Sequence, residues 1–222
     1  MSQIVIVTGT TGSGKTTTCR EFVNQAEDLW LHFGADIFLG SLISRKFVDG
    51  GARSEEGVHM TPDNPADPEG PAHLSLGTRG AGMIATLHEM AAAAVRNGQP
   101  VVMDHVTTVS PPILQDCVAR LKSLPVLFVA LRPPQEMLAE RIRGRLAEVE
   151  KVLGKEHAAK NNAGTRRASE FVAREIFRHD CFDLEIDSGS LSPEQVVRTI
   201  LDRLESGPPG DAFQRLAEKF GV

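Results

Sequence analysis

A parallel α/β sheet covered by helices on both faces is predicted by three observations on this 222-residue chain. Short β-branched runs alternate with segments of helical periodicity, the pattern of βαβ units, and right-handed crossovers then put helices on both sides. The run Val126–Leu131 is apolar throughout, as expected of a strand covered on both faces. The runs end at Gly, Asp or Arg, at the carboxyl ends where sheets of this kind bind ligands.

Gln3–Thr8 is the first strand, and Thr16–Ala26, with Cys19, Phe22, Val23 and Ala26 at helical spacing, is the first helix. Leu29–Phe33 reads as a strand stopped by Gly34-Ala35-Asp36, and Ile37–Phe47 as a helix. Residues 48–82, rich in Gly, Pro, Asp and Glu, read as a long loop of the kind that forms lids or binding inserts. Met83, Ile84, Leu87, Met90, Ala91, Ala94 and Val95 form one apolar helical face that Asn97-Gly98 ends. Val101–Met103 is a brief strand ending at Asp104, and Ser110-Pro111 supplies a cap and a first-turn proline for a helix lined by Ile113, Leu114, Cys117, Val118 and Leu121. After Val126–Leu131, Gln135–Leu153 and Ala168–Arg178 read as charged helices joined by a polar linker, residues 154–165. Asp183–Asp187 is the last strand, and Ser192-Pro193-Glu194-Gln195 is a capping box that opens a final long helix. The domain therefore spans residues 1–206, with an insert at about 48–82, a lid at about 135–165 and a short tail at 207–222.

Twenty-four basic against 29 acidic residues leave a net charge of −5, the wrong sign for a domain that grips nucleic acid through phosphate contacts. No run approaches the length of a membrane span and no signal peptide is present, which predicts a cytoplasmic protein without membrane partners. Cys19, Cys117 and Cys181 stand at unrelated spacings and read as buried thiols. The seven histidines show no ligand spacing, so no structural zinc is expected; His105, beside Asp104, is the one expected near substrate. Trp30 and the phenylalanines read as core.

Gly9-Thr10-Thr11-Gly12-Ser13-Gly14-Lys15-Thr16 satisfies G-x-x-x-x-G-K-[ST] between a predicted strand and a predicted helix. Its glycines let the backbone curl around an anion, the helix N-terminus adds its positive dipole end, Lys15 reaches the β- and γ-phosphates, and the Thr16 hydroxyl ligates magnesium. Residues 9–17, including Thr17, are thus the expected nucleotide site, with ATP and Mg2+ as cosubstrates. Asp104 suits a second magnesium ligand. Arg132, Arg141 and Arg145 follow the strongest core strand and are expected to stabilise transferring charge. Asp36 ends the second strand, where a carboxylate can orient an acceptor hydroxyl and take its proton.

Taken in order, Ile4–Thr17, Trp30–Asp36, Leu74–Gly77, Val101–Val106, Val126–Arg132, Arg141–Arg145 and Phe182–Ser188 followed by Ser192-Pro193-Glu194 resemble the chloramphenicol phosphotransferase-like family of P-loop kinases. The resemblance implies a three-layer sandwich on a five-stranded parallel sheet of order 2-3-1-4-5, with Asp36 at the position of the family's base. The sequence departs from the family where Asp104 is followed by His105 rather than a second acid, and in the insert. The expected activity is an ATP-dependent O-phosphotransferase acting on a small hydroxylated metabolite or antibiotic. A nucleoside or nucleotide-sugar kinase of the zeta-toxin type and a nucleotide switch without an acceptor are the alternatives, and the oligomeric state is left open.

Overall fold

The computed structural model describes residues 3–222, and all side chains among them except those of residues 145, 146, 149, 153 and 155–163. In chain order, β1 (Ile4–Gly9), α1 (Lys15–Gln25) and β2 (Leu31–Gly34) precede a one-turn helix α2 (Ala35–Ile37), then the hairpin β3 (Val58–Pro62) and β4 (Ala72–Leu76). There follow α3 (Gly80–Arg96), β5 (Val101–Asp104), α4 (Ile113–Leu121), β6 (Val126–Leu131), α5 (Gln135–Leu153), α6 (Lys155–Glu175), β7 (Leu184–Ile186), α7 (Pro193–Ser206) and α8 (Ala212–Phe220).

The main sheet runs β2-β5-β1-β6-β7 with every pairing parallel. Counted by its own strands this is the order 2-3-1-4-5 that the resemblance implies. Side chains alternate across a strand, and β1 supplies both cores. Ile4 and Ile6 pack toward Leu87 and Ala91 of α3, Leu114 and Val118 of α4 and Phe213 of α8. Val5 and Val7 face Cys19 and Phe22 of α1 and Val196, Val197 and Ile200 of α7. All three cysteines are buried and free, and Trp30 meets Phe22 edge-on at 4.8 Å. The capping box at the start of α7 is present in full: Ser192 Oγ accepts from the Gln195 amide while Gln195 Oε1 accepts from the Ser192 amide.

Four expectations need correction. The helix predicted over Ile37–Phe47 is instead α2, a π turn (Phe38–Leu42) and a 3-10 turn (Arg45–Phe47), because Gly40, Ser41 and Ser44 interrupt it and it buries chiefly Phe38. The long loop contains the β3–β4 hairpin, antiparallel with Met60 opposite Leu74. Ser110 caps nothing; α4 begins at Ile113 behind Pro112, and Thr108 Oγ1 donates to Pro111 O. Residues 155–165 continue as the first turns of α6, since Gly154 (φ 76°) is the break and the Lys, Glu and Ala after it favour helix.

The hairpin is held on both sides. Val58 and Leu76 pack with Ile84 and Ile113, while Met60 and Leu74 meet Phe171 and Val172 of α6 and Ile176 just after it. Arg174 Nη2 also donates to Ala72 O at 3.0 Å. The hairpin and α6 are therefore packed as one unit.

Residues 207–222, expected as a tail, complete the core. Asp183 Oδ1 accepts from the amides of Asp211 and Ala212 while its Oδ2 accepts from Phe128 N, tying α8 to β6. Phe213 is 1% exposed and lies 5.4 Å from the Phe128 ring at 85°. Phe213→Ala is expected to cost about 3–5 kcal/mol in urea unfolding, whereas a detached tail would cost almost nothing.

Candidate active site

A cavity of about 500 Å³ lies beyond the ends of β1, β2 and β5. The phosphate loop forms its floor. Gly9, Gly12 and Gly14 have φ of 154°, 81° and 97°, values that side chains resist, and a Cβ at Gly9 would stand 2.6 Å from Ser13 Oγ and 2.7 Å from Leu131 O. Lys15 Nζ donates to Gly9 O at 2.8 Å and Thr10 O at 3.0 Å. Arg141 reaches across from α5, its Nη1 donating to Gly12 O (3.2 Å) and its Nη2 to Ser188 O (3.0 Å), and Ser188 Oγ donates to Ser13 O at 2.7 Å. The first turn of α1 has no side-chain cap, so its amide donors are available to an anion.

The carboxylates stand on neighbouring strand ends. Asp104 closes β5 and is 5% exposed; it pairs in register with Val7 on one side and Gly34 on the other. Gly34 gives Asp104 room, because a Cβ there would come within 2.1 Å of Asp104 Oδ1 and the carboxylate would have to move. His32 Nε2 stands 3.8 Å from Asp104 Oδ2. Asp36, two residues past β2 in the first turn of α2, is exposed to the same cavity. Thr16 and Asp104 both line it, and a hydroxyl and a carboxylate are the hard oxygen donors that magnesium takes. The buried hydroxyls of Thr10 and Ser13 have no hydrogen-bond partner within the protein.

Thr11, Gly12, Ser13, Gly14, Lys15, Thr16, Thr17, Asp36, Asp104 and Arg141 of the expected site thus share one cavity, with Gly9 and Thr10 forming the turn behind it. The side chain of Arg145 lies outside the described residues. Arg132 is drawn elsewhere: its guanidinium pairs with Asp180 and Glu185 and lies over the Phe177 ring at 4.1 Å, so it is not among the cavity-lining residues. Two carboxylates and an aromatic face at the β7 side outcompete the cleft for it.

Sequence reasoning missed Ser188, Ala168 and Val172, all on the cavity wall. Ser188 lies two residues past β7, and Ala168 and Val172 lie on a stretch that read as a charged helix, so no local pattern marked these three as cavity wall. His105 also lines the cavity, its imidazole held well below the ordinary histidine range chiefly by burial.

A family described as "Chloramphenicol phosphotransferase-like protein" matches residues 2–205. Among curated proteins none matches significantly. Solved structures with a similar fold include a sugar kinase from a Janibacter species, at 17% identity over 93% of this chain and 97% of that one with a TM-score of 0.58. The APS kinase of Mycobacterium tuberculosis in complex with AMPPNP and APS is 15% identical, covering 92% and 98% of the two chains at a TM-score of 0.55. The tunicamycin resistance protein of Deinococcus radiodurans is 18% identical, covering 92% and 96% at a TM-score of 0.52. The fold is that of P-loop kinases.

The contact between strands β2 and β5 is directly testable. Gly34→Ala is expected to destabilise the protein by about 1–3 kcal/mol through overpacking, and by clearly less in an Asp104→Ala background, where the clashing oxygen is gone; equal costs in both backgrounds in urea melts would refute the contact.

Proposed function

Because this chain belongs to the chloramphenicol phosphotransferase-like family, we propose that it is an ATP-dependent O-phosphotransferase that transfers the γ-phosphate of ATP to a hydroxyl of a small metabolite or antibiotic. One observation carries the reading: a phosphate loop, two strand-end carboxylates and a lid arginine line a single cavity.

The roles follow from charge and position. The loop amides and the N-terminus of α1 hold the phosphate oxygens, and Lys15 neutralises the β- and γ-phosphates. Thr16 and Asp104 would hold Mg2+, which, when bound, screens the phosphate charge. Asp36 orients the acceptor hydroxyl and takes its proton as the new bond to phosphorus forms and the bond to the β-phosphate oxygen breaks, releasing ADP. Arg141, already bridging Gly12 and Ser188, meets negative charge spreading onto the transferring group. Ala35, Val106, Ala168 and Val172 give the cavity apolar walls, which suits an acceptor with an apolar side. The site of action is the cytoplasm, where ATP is supplied; among the described residues no helix is long and apolar enough to cross a membrane.

Incubation with γ-labelled ATP and a library of hydroxylated metabolites and antibiotics, followed by mass spectrometry, is expected to reveal a product heavier by one phosphate. ATP turnover with no phosphorylated small molecule would reject the acceptor chemistry, and preferential labelling of nucleosides would redirect it to the nucleoside-kinase class. Asp36→Asn is expected to keep nucleotide affinity while lowering kcat by about 10²-fold or more. Undiminished turnover in that variant removes Asp36 from the reaction.

A further inference from the structure

We propose that His88, His105 and Cys117 form a binding site for one transition-metal ion of the zinc class, separate from the oxygen ligands of the nucleotide site. Their ligating atoms all lie within 4.8 Å of one another. The three residues are 0%, 1% and 0% exposed and come from α3, the residue after β5 and α4, so no short sequence spacing announces them.

The surrounding hydrogen bonds orient the donors. Arg120 Nε lies 3.0 Å from each oxygen of Asp116, and this carboxylate accepts from His88 Nδ1 at 2.6 Å. That contact fixes the His88 tautomer and turns its Nε2 lone pair inward, toward His105 Nε2 at 2.8 Å. A carboxylate behind a ligating histidine is the usual outer support of such sites.

A tetrahedral zinc ion, with bonds of about 2.0–2.1 Å to nitrogen and 2.3 Å to sulfur, separates its donors by roughly 3.3–3.6 Å. The two imidazoles must part by about half an ångström and the sulfur approach by up to about one, movements within reach of side-chain torsions.

Charge and protons balance. The ion's two positive charges meet one thiolate and the Asp116 carboxylate. The Cys117 Sγ proton goes to solvent, and the His105 Nε2 proton returns to the ring at Nδ1, the nitrogen that has no partner within the protein. A thiolate with two imidazoles selects zinc-like ions over magnesium. His105 also lines the nucleotide cavity, so the proposed site lies directly behind the cavity wall. An ion here would join α3 and α4 to the strand end that carries Asp104.

The test uses the whole protein, stripped with a chelator and then titrated with Zn2+ against a chromophoric competitor and, in parallel, with Co2+. One ion per chain is expected, with Co2+ giving a tetrahedral visible spectrum and a sulfur-to-cobalt charge-transfer band. Cys117→Ser is expected to abolish that band, and His88→Gln and the half-exposed Asp116→Asn to weaken zinc binding about 10–100-fold. Failure to bind a stoichiometric ion, or a wild-type cobalt complex without the sulfur band, overturns the site whether or not the variants fold; so does unchanged zinc affinity in Cys117→Ser.

Discussion

Four carbonyl oxygens of the phosphate loop are held by side chains from different parts of the fold: Gly9 and Thr10 by Lys15, Gly12 by Arg141 and Ser13 by Ser188. These bonds set the curl of a backbone whose glycine φ values are otherwise poorly populated. They tie the loop to α1, to α5 and to the segment after β7. The shape that meets an anion is therefore built by the protein itself, and preorganised donors lose little in reorganisation when charge develops. The strand order makes this possible, since β1 lies between β5 and β6 and its end is flanked by both neighbours.

Much of this was legible in the sequence because it depends on local chemistry. The loop motif is contiguous, Asp104 ends β5 and Asp36 lies two residues past β2 in the first turn of α2, and the alternation Ile4-Val5-Ile6-Val7 divides between two cores as strand geometry requires. The capping box before α7 was readable for the same reason: all its partners lie within four residues.

What the sequence hid depends on partners far away in the chain. Arg132 follows a strand as a phosphate-binding arginine would, but its neighbours Asp180 and Phe177 come from beyond α6. The hairpin lay inside a stretch whose glycines and prolines suggested a loop, and its apolar partners, Ile84 and Ile113 on one side and Phe171 and Val172 on the other, lie far along the chain. Gly34 carries no local signal, because the Asp104 oxygen it makes room for lies on the adjacent strand. His88, His105 and Cys117 likewise meet only through the packing of α3 and α4 on the sheet.

Met60 and Leu74 sit between the body of the domain and α6, with Leu74 contributing to both small apolar clusters. The hairpin is thus not an independent module. Grafting another hairpin onto this scaffold to change selectivity would have to bring Phe171, Val172 and Ile176 along with it, since a loop exchanged alone would leave two mismatched apolar seams.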